Sequence, residues 1–110
     1  MALFEEIKRI DDNIELKLND NINSETIDEF EKKIKSLVED GFLKILLDFK
    51  DVEFISSQGL GILVINYKPV AEKGGYIALI NLNDSITRVM EITRLDKVLK
   101  IIESIDELDD

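Results

Sequence analysis

Two adjacent serines, Ser56 and Ser57, are followed at once by Gln58, Gly59, Leu60 and Gly61, and this is the stretch whose residue types suggest chemistry. Either hydroxyl could accept a phosphoryl group, and the apolar run that begins at Leu60 puts both at the start of a helix. A helix N-terminus leaves several backbone N–H groups without partners, and its dipole favours negative charge. A phosphate on Ser56 or Ser57 would therefore be well placed. The glycines at 59 and 61 would let another backbone or a bulky side chain come close. A plainer reading stands beside this one: serine is a favoured N-cap, and glycine near a helix start often serves packing alone. Spacing leaves both open.

The missing residue types exclude most other chemistry. The chain has no His and no Cys, so the commonest general base, the commonest metal ligand, thiol nucleophiles and disulfides are all removed. A serine hydrolase lacks both its Gly-x-Ser-x-Gly elbow and a base to take the proton. A phosphate-binding P-loop lacks its Lys-Ser or Lys-Thr pair, the nearest downstream lysine being Lys68, two turns into the helix. Acid–base work by Asp48 and Asp51 would need paired carboxylates in a dry cleft, whereas their spacing is that of a surface. No calcium loop of the Asp-x-Asp-x-Asp-Gly type is present. The expectation is a protein that is not an enzyme and holds no metal or cofactor.

Composition narrows the class of partner. At 110 residues, with 45% hydrophobic and 35% charged residues, the chain has the make-up of one globular domain spanning 1–110. Asp and Glu number 24 against 14 Lys and Arg, a net charge of −10 that repels phosphate backbones and anionic bilayers. Neither nucleic acid nor membrane is expected as a partner. The first residues lack the basic start and long apolar run of a signal peptide, which points to the cytoplasm.

Elements able to position the serines are legible in the periodicity. Residues 3–10 and 14–18 read as strands of a hairpin around Asp11, Asp12 and Asn13, with Ile14, Leu16 and Leu18 alternating. Asn23 and Ser24 read as the cap of a helix carrying Ile27, Phe30, Ile34, Leu37 and Val38, which Gly41 stops. Residues 43–49 are too apolar for a half-exposed strand and predict a central strand covered on both faces. A long helix over 58–73 follows; Pro69 lies inside it and predicts a bend. Gly74 and Gly75 close it. A strand over 76–80, a helix capped at Asn83 and Asp84 with Ile86, Val89 and Met90, a last strand over 98–102 and a capping-box turn from Ser104 to Glu107 complete the chain. The alternation predicts an α/β fold, a mixed sheet of about five strands with about four helices packed on it. In such sheets functional groups gather beyond the carboxyl ends of parallel strands, which points to the segment after Phe49.

The run Leu47-Asp48-Phe49-Lys50-Asp51-Val52-Glu53-Phe54-Ile55-Ser56-Ser57-Gln58-Gly59-Leu60-Gly61 resembles the signature of the anti-sigma-factor antagonists of the STAS family. There a buried strand and an Asp-x-x-x-Val-x-Phe-like lead-in precede Asp-Ser-Ser-Gly-Leu-Gly or a near variant. Lys73-Gly74-Gly75 and Ile92-Thr93-Arg94-Leu95-Asp96-Lys97 extend the likeness over nearly the whole chain. The resemblance implies a STAS fold and a protein that sequesters an anti-sigma factor, itself a serine kinase, until phosphorylation of Ser57 switches it off. A serine phosphatase would oppose the kinase. Ser56 is a rival acceptor, and the implied docking face comprises Asn23, Ser24, Phe54, Ile55, Ser56, Gln58, Gly59 and Leu60. Two positions depart from the family: Ser56 and Asn23 stand where it usually has Asp. An alternative reading keeps the fold without the switch, as a scaffold or sensory module that binds protein, small ligand or lipid.

Overall fold

The computed structural model describes residues 2–108; Met1, Asp109 and Asp110, which the expected 1–110 domain also takes in, lie outside the described residues. Alternation and a tight turn build the first feature. Phe4–Ile10 (β1) pairs antiparallel with Asn13–Leu18 (β2), and Asp11 at the turn adopts φ 53°, a left-handed conformation that Asp tolerates better than most residues. Ile14, Leu16 and Leu18 are buried on one face of β2. β1 is an edge strand, exposed from Glu5 onward. A register shift between Glu6 and Lys8, with charges on either side, blunts it against further pairing.

Glycine chemistry then sets where two helices stop. Ile27–Glu39 (α1) ends at Gly41 (φ 92°) and Ser57–Glu72 (α2) at Gly74 (φ 82°). In each, the glycine N–H and the next N–H fold back on carbonyls of the last turn: Gly41 to Val38 and Phe42 to Leu37, Gly74 to Ala71 and Gly75 to Val70. This is the Schellman arrangement, which satisfies carbonyls that would otherwise lack donors. α2 runs unbroken through Pro69. The carbonyl that loses its donor there is that of Ile65, a residue 72% exposed, so water can take the place of the missing N–H. α1 starts a turn later than Asn23 and Ser24 suggest. Its N-cap is Thr26, because Ile22 is paired to another segment and the chain must turn at Asn23, whose carbonyl accepts the N–H groups of Thr26 and Ile27.

Lys44–Asp48 (β3), Tyr76–Ile80 (β4) and Lys100–Ile102 (β5) complete a sheet in the order β1-β2-β3-β4-β5, parallel from β2 onward. Each crossover steps the same way along that order, and right-handed crossovers stepping one way lay every helix on the same face. α1, α2 and Asp84–Ile92 (α3) accordingly share one core with Ile45, Leu47, Ile77 and Leu79, through Phe30, Ile34, Leu63 and Met90. Burying these side chains is worth about 1.5–3 kcal/mol each as an upper estimate.

The opposite face is covered differently from the symmetric layering that residues 43–49 suggest. Leu46, Ala78, Ile80 and Ile102 form a separate small cluster, with only Tyr76 and Leu108 packed against it among the partly buried apolar side chains of the described residues. Among the described residues there are three α-helices where about four were expected, and on that side the chain makes only the 3-10 turn Ile105–Leu108. β5 is shorter than 98–102 because Leu95–Lys97 is itself a 3-10 turn, and the Leu95 carbonyl accepts the N–H groups of Val98 and Leu99. No helix among the described residues is long and apolar enough to cross a membrane.

Gly75 shows how tightly the end of α2 meets the sheet: a Cβ there would overlap the Leu43 carbonyl, which accepts the Tyr76 N–H at 2.8 Å. Gly75→Ala is expected to destabilise the fold by about 1–3 kcal/mol. Urea unfolding checks it; an unchanged midpoint would mean that the start of β4 is free to shift.

Candidate functional site

β3 ends at Asp48, whose Oδ1 accepts the Lys50 N–H and the Asn81 side-chain amide, both at 2.9 Å. Phe49 and Val52 are buried anchors on either side of the turn that follows. Beyond it, residues 53–56 run extended and are held from two sides. The Ile22 N–H donates to the Phe54 carbonyl at 3.0 Å and the Ser56 N–H to the Ile22 carbonyl at 2.9 Å, a parallel bridge of Ile22 with Ile55. Asn21 Oδ1 accepts the N–H groups of Glu53 (2.7 Å) and Phe54 (3.2 Å). From the other side the Asn83 amide donates to the Glu53 carbonyl at 3.2 Å, while Asn83 Oδ1 caps α3 at the Ile86 N–H. Loops from three crossovers thus meet at the start of α2.

The two serines take different roles. Ser56 is the N-cap of α2: its backbone is extended and its Oγ accepts the Gly59 N–H at 3.1 Å, a contact worth about 1 kcal/mol. Ser57 is the first helical residue and is exposed, and its hydroxyl makes no hydrogen bond among the described residues. The first turn of α2 carries no acidic residue, and the N–H groups of Ser57 and Gln58 precede any helical acceptor. An anion on Ser57 would meet donors and a favourable dipole there.

The structure divides the predicted docking residues by exposure. Ser24, Phe54, Ser57 and Gln58 are exposed, and Asn23 and Ser56 are half-buried. Ile55, Gly59 and Leu60 are buried and can present no side chain to a partner. Phe54 is 53% exposed because its neighbour Ile55 takes the inward position on the bridge. Asn23 is occupied locally, its Oδ1 accepting the Glu25 N–H at 2.9 Å.

The glycines separate as sharply. A Cβ on Gly59 would lie 2.7 Å from Ile22 Cγ2 and 2.9 Å from Ile55 Cγ1, so this glycine exists for packing against the bridge. A Cβ on Gly61 would meet nothing within 4 Å. Gly61 follows Ser57 by one helical turn and precedes exposed Ile65 by another, so the three share the outer stripe of α2. Sequence reading missed Asn21, Ile22 and Ile65.

Lys17 Nζ lies 2.9 Å from Asp51 Oδ2 and ties the end of β2 to the loop that leads to the serines. The hydrogen bond and charge of Lys17 hold the Asp51 carboxyl below its ordinary range, and Asp51 raises Lys17. A depressed carboxyl contributes stability above its unfolded pKa and loses it as pH falls through the folded one. The contribution is small, because water reaches the exposed Asp51 and part of the half-buried Lys17 and screens the pair.

The sequence matches the family model of the STAS domain over residues 5–108. A crystal structure of the Thermotoga maritima protein TM1081 superposes with a TM-score of 0.85 at 35% identity, covering 96% of this chain and 90% of that one. The anti-sigma-B factor antagonist of Bacillus subtilis is 31% identical over 97 residues, 87% of each chain. The phosphorylated form of the Bacillus cell fate determinant SpoIIAA, 15% identical, covers 96% of both chains with a TM-score of 0.72 and shares the fold.

Gly59→Ala is expected to lower stability by about 1–3 kcal/mol through collision with Ile22 and Ile55. Gly61→Ala is expected to raise it by up to about 1 kcal/mol, the ordinary gain of alanine over glycine inside a helix. Thermal unfolding of the pair checks both signs. A drop in Gly61→Ala as large as that in Gly59→Ala would contradict the assignment of open space at Gly61.

Proposed function

The chain belongs to the STAS domain family, and from that premise we propose that it is an anti-sigma-factor antagonist, a single cytoplasmic domain that acts by binding and not by catalysis. It sequesters an anti-sigma factor that is also a serine kinase, and phosphorylation of Ser57 by that kinase releases the pair. A serine phosphatase restores the unmodified form. ATP and its metal belong to the kinase.

The observation that carries this reading is the contrast between the serines. Ser56 Oγ is committed to the cap, whereas the Ser57 hydroxyl faces solvent at the first position of α2. Around it lie exposed Phe54 and Gln58, and along α2 the open space at Gly61 and the exposed side chain of Ile65. Apolar residues beside a modifiable hydroxyl suit a protein partner. The half-buried Gly61 supports the same reading, since a glycine inside a helix costs about 1 kcal/mol against alanine and a Cβ there would meet nothing within 4 Å.

Phosphorylation adds about 1.5 to 2 negative charges. At the start of α2, with no carboxylate in the first turn, the fold tolerates that charge, and the switch acts at the interface instead. A penalty of about 1.4 kcal/mol there weakens binding tenfold. Ser56 replaces the family's Asp without loss of the cap, because both residue types accept the same N–H. The missing carboxylates at 56 and 23 also favour a second reading, a STAS scaffold or sensory module that binds protein, small ligand or lipid without being phosphorylated.

Intact-mass analysis after incubation with ATP and candidate anti-sigma kinases from the same organism tests the proposal. One added phosphoryl group is expected in the wild type and in Ser56→Ala, and none in Ser57→Ala. Ser57→Glu should weaken capture of the kinase about tenfold or more, with Ser57→Ala still binding. A kinase that binds the domain yet modifies neither serine would sink the switch in favour of the scaffold.

A further inference from the structure

The face of the sheet turned away from the helices carries a groove that the proposed switch does not use. It lies at the amino ends of β2, β3 and β4, opposite to the carboxyl end of β3 where the serines are. Leu46 and Tyr76 rise into it from the sheet, Ile10 from the edge hairpin, and Ile105 and Leu108 from the C-terminal turn. The space is about 420 Å³, within the range of small-ligand sites. Ile10 is 51% exposed and Ile105 50%, so two large apolar side chains face water across it.

The groove carries charged as well as apolar side chains. Lys8 and Lys44 line it against one carboxylate, Glu15, a local excess of one positive charge on a chain of net charge −10. Beside them Lys100 Nζ lies 4.8 Å from the centre of the Tyr76 ring. A polyanion or an anionic bilayer would meet the acidic surface all round, but a single negative charge on an apolar body would meet two ammonium groups against one carboxylate.

We propose that this groove binds a single-chain carboxylate amphiphile, with its alkyl chain between Ile10, Leu46 and Ile105 and its carboxylate between Lys8 and Lys44. The head group is argued from charge: two ammonium groups less one carboxylate leave the single positive charge that a monoanion neutralises. The chain is argued from the exposed isoleucines, which lose contact with water when it binds. The proposal is independent of the kinase switch, because no residue of the serine loop takes part.

Chemical-shift titration of the full chain with decanoate tests it. Saturable shifts are expected at Ile10, Leu46, Tyr76 and Ile105, with none at Ser57 or Gly61. Affinity should fall about tenfold in a Lys8→Glu, Lys44→Glu double variant. Decyltrimethylammonium, which carries the same chain with the opposite charge, should not shift the groove in the unaltered protein, and this arm depends on no variant's folding. The proposal is overturned if decanoate gives no saturable shift, if the shifts cluster elsewhere, or if the cationic amphiphile binds the groove as tightly.

Discussion

Two backbone hydrogen bonds between Ile22 and the 54–56 segment hold together everything that makes the serine loop a surface and not a floppy connection. They extend the parallel pairing of β2 and β3 by one bridge past the ends of the strands. That single bridge sets the direction of Ser56, whose extended backbone and inward Oγ then start α2. It also dictates Gly59, since the helix can descend onto Ile22 and Ile55 only where no Cβ intervenes. Asn21 and Asn83 reinforce the bridge from neighbouring loops, so the position of Ser57 is over-determined by contacts that do not involve its own side chain.

The handedness of crossovers governs the rest of the architecture. Because successive strands add on the same side, all three α-helices share one face, and the main core forms there. The other face is left with a four-residue cluster under a short C-terminal turn. One consequence of this asymmetry is that the serine loop and the groove lie at opposite ends of the sheet. The loops at the carboxyl ends of the strands are braced by three crossovers, whereas the helix-free face at the opposite end stays open enough to hold a groove.

Much of this was legible in the residues. Gly41 and Gly74 stop helices where their conformational freedom is needed, and alternation in β2 and the apolar runs of β3 and β4 mark strands whatever the tertiary context. The signature around Ser56 and Ser57 indicated the STAS family, whose model matches residues 5–108. What escaped sequence reading depends on distant partners. Asn21 looks like any loop asparagine, since the backbone groups it holds lie 32 and 33 residues away. Thr26 displaced the expected cap because Ile22 is pinned from elsewhere. Local pattern could not separate Phe54, which is exposed, from Ile55, which is buried, because both are apolar and adjacent. Nor could it separate Gly59 from Gly61: composition treats them alike, and only the neighbours of their missing Cβ atoms tell packing from access.

The electrostatics of the serine loop bear on what kind of switch it can be. A modification that unfolded its own helix would act through stability, and every partner of the domain would be lost together. At the first position of α2 the added charge meets unpaired N–H groups, the positive end of a dipole and no neighbouring carboxylate in the turn, so the cost to the fold is small. Discrimination must then come from the surface opposite. In a partner that packs against Phe54 and the outer stripe of α2, a phosphate on Ser57 would be stripped of water beside apolar surface, where an unpaired charge is most expensive. In the proposed switch, the arrangement that lets the free domain carry the phosphate without strain would also make the bound state intolerant of it, and that difference would be the free energy a reversible switch requires.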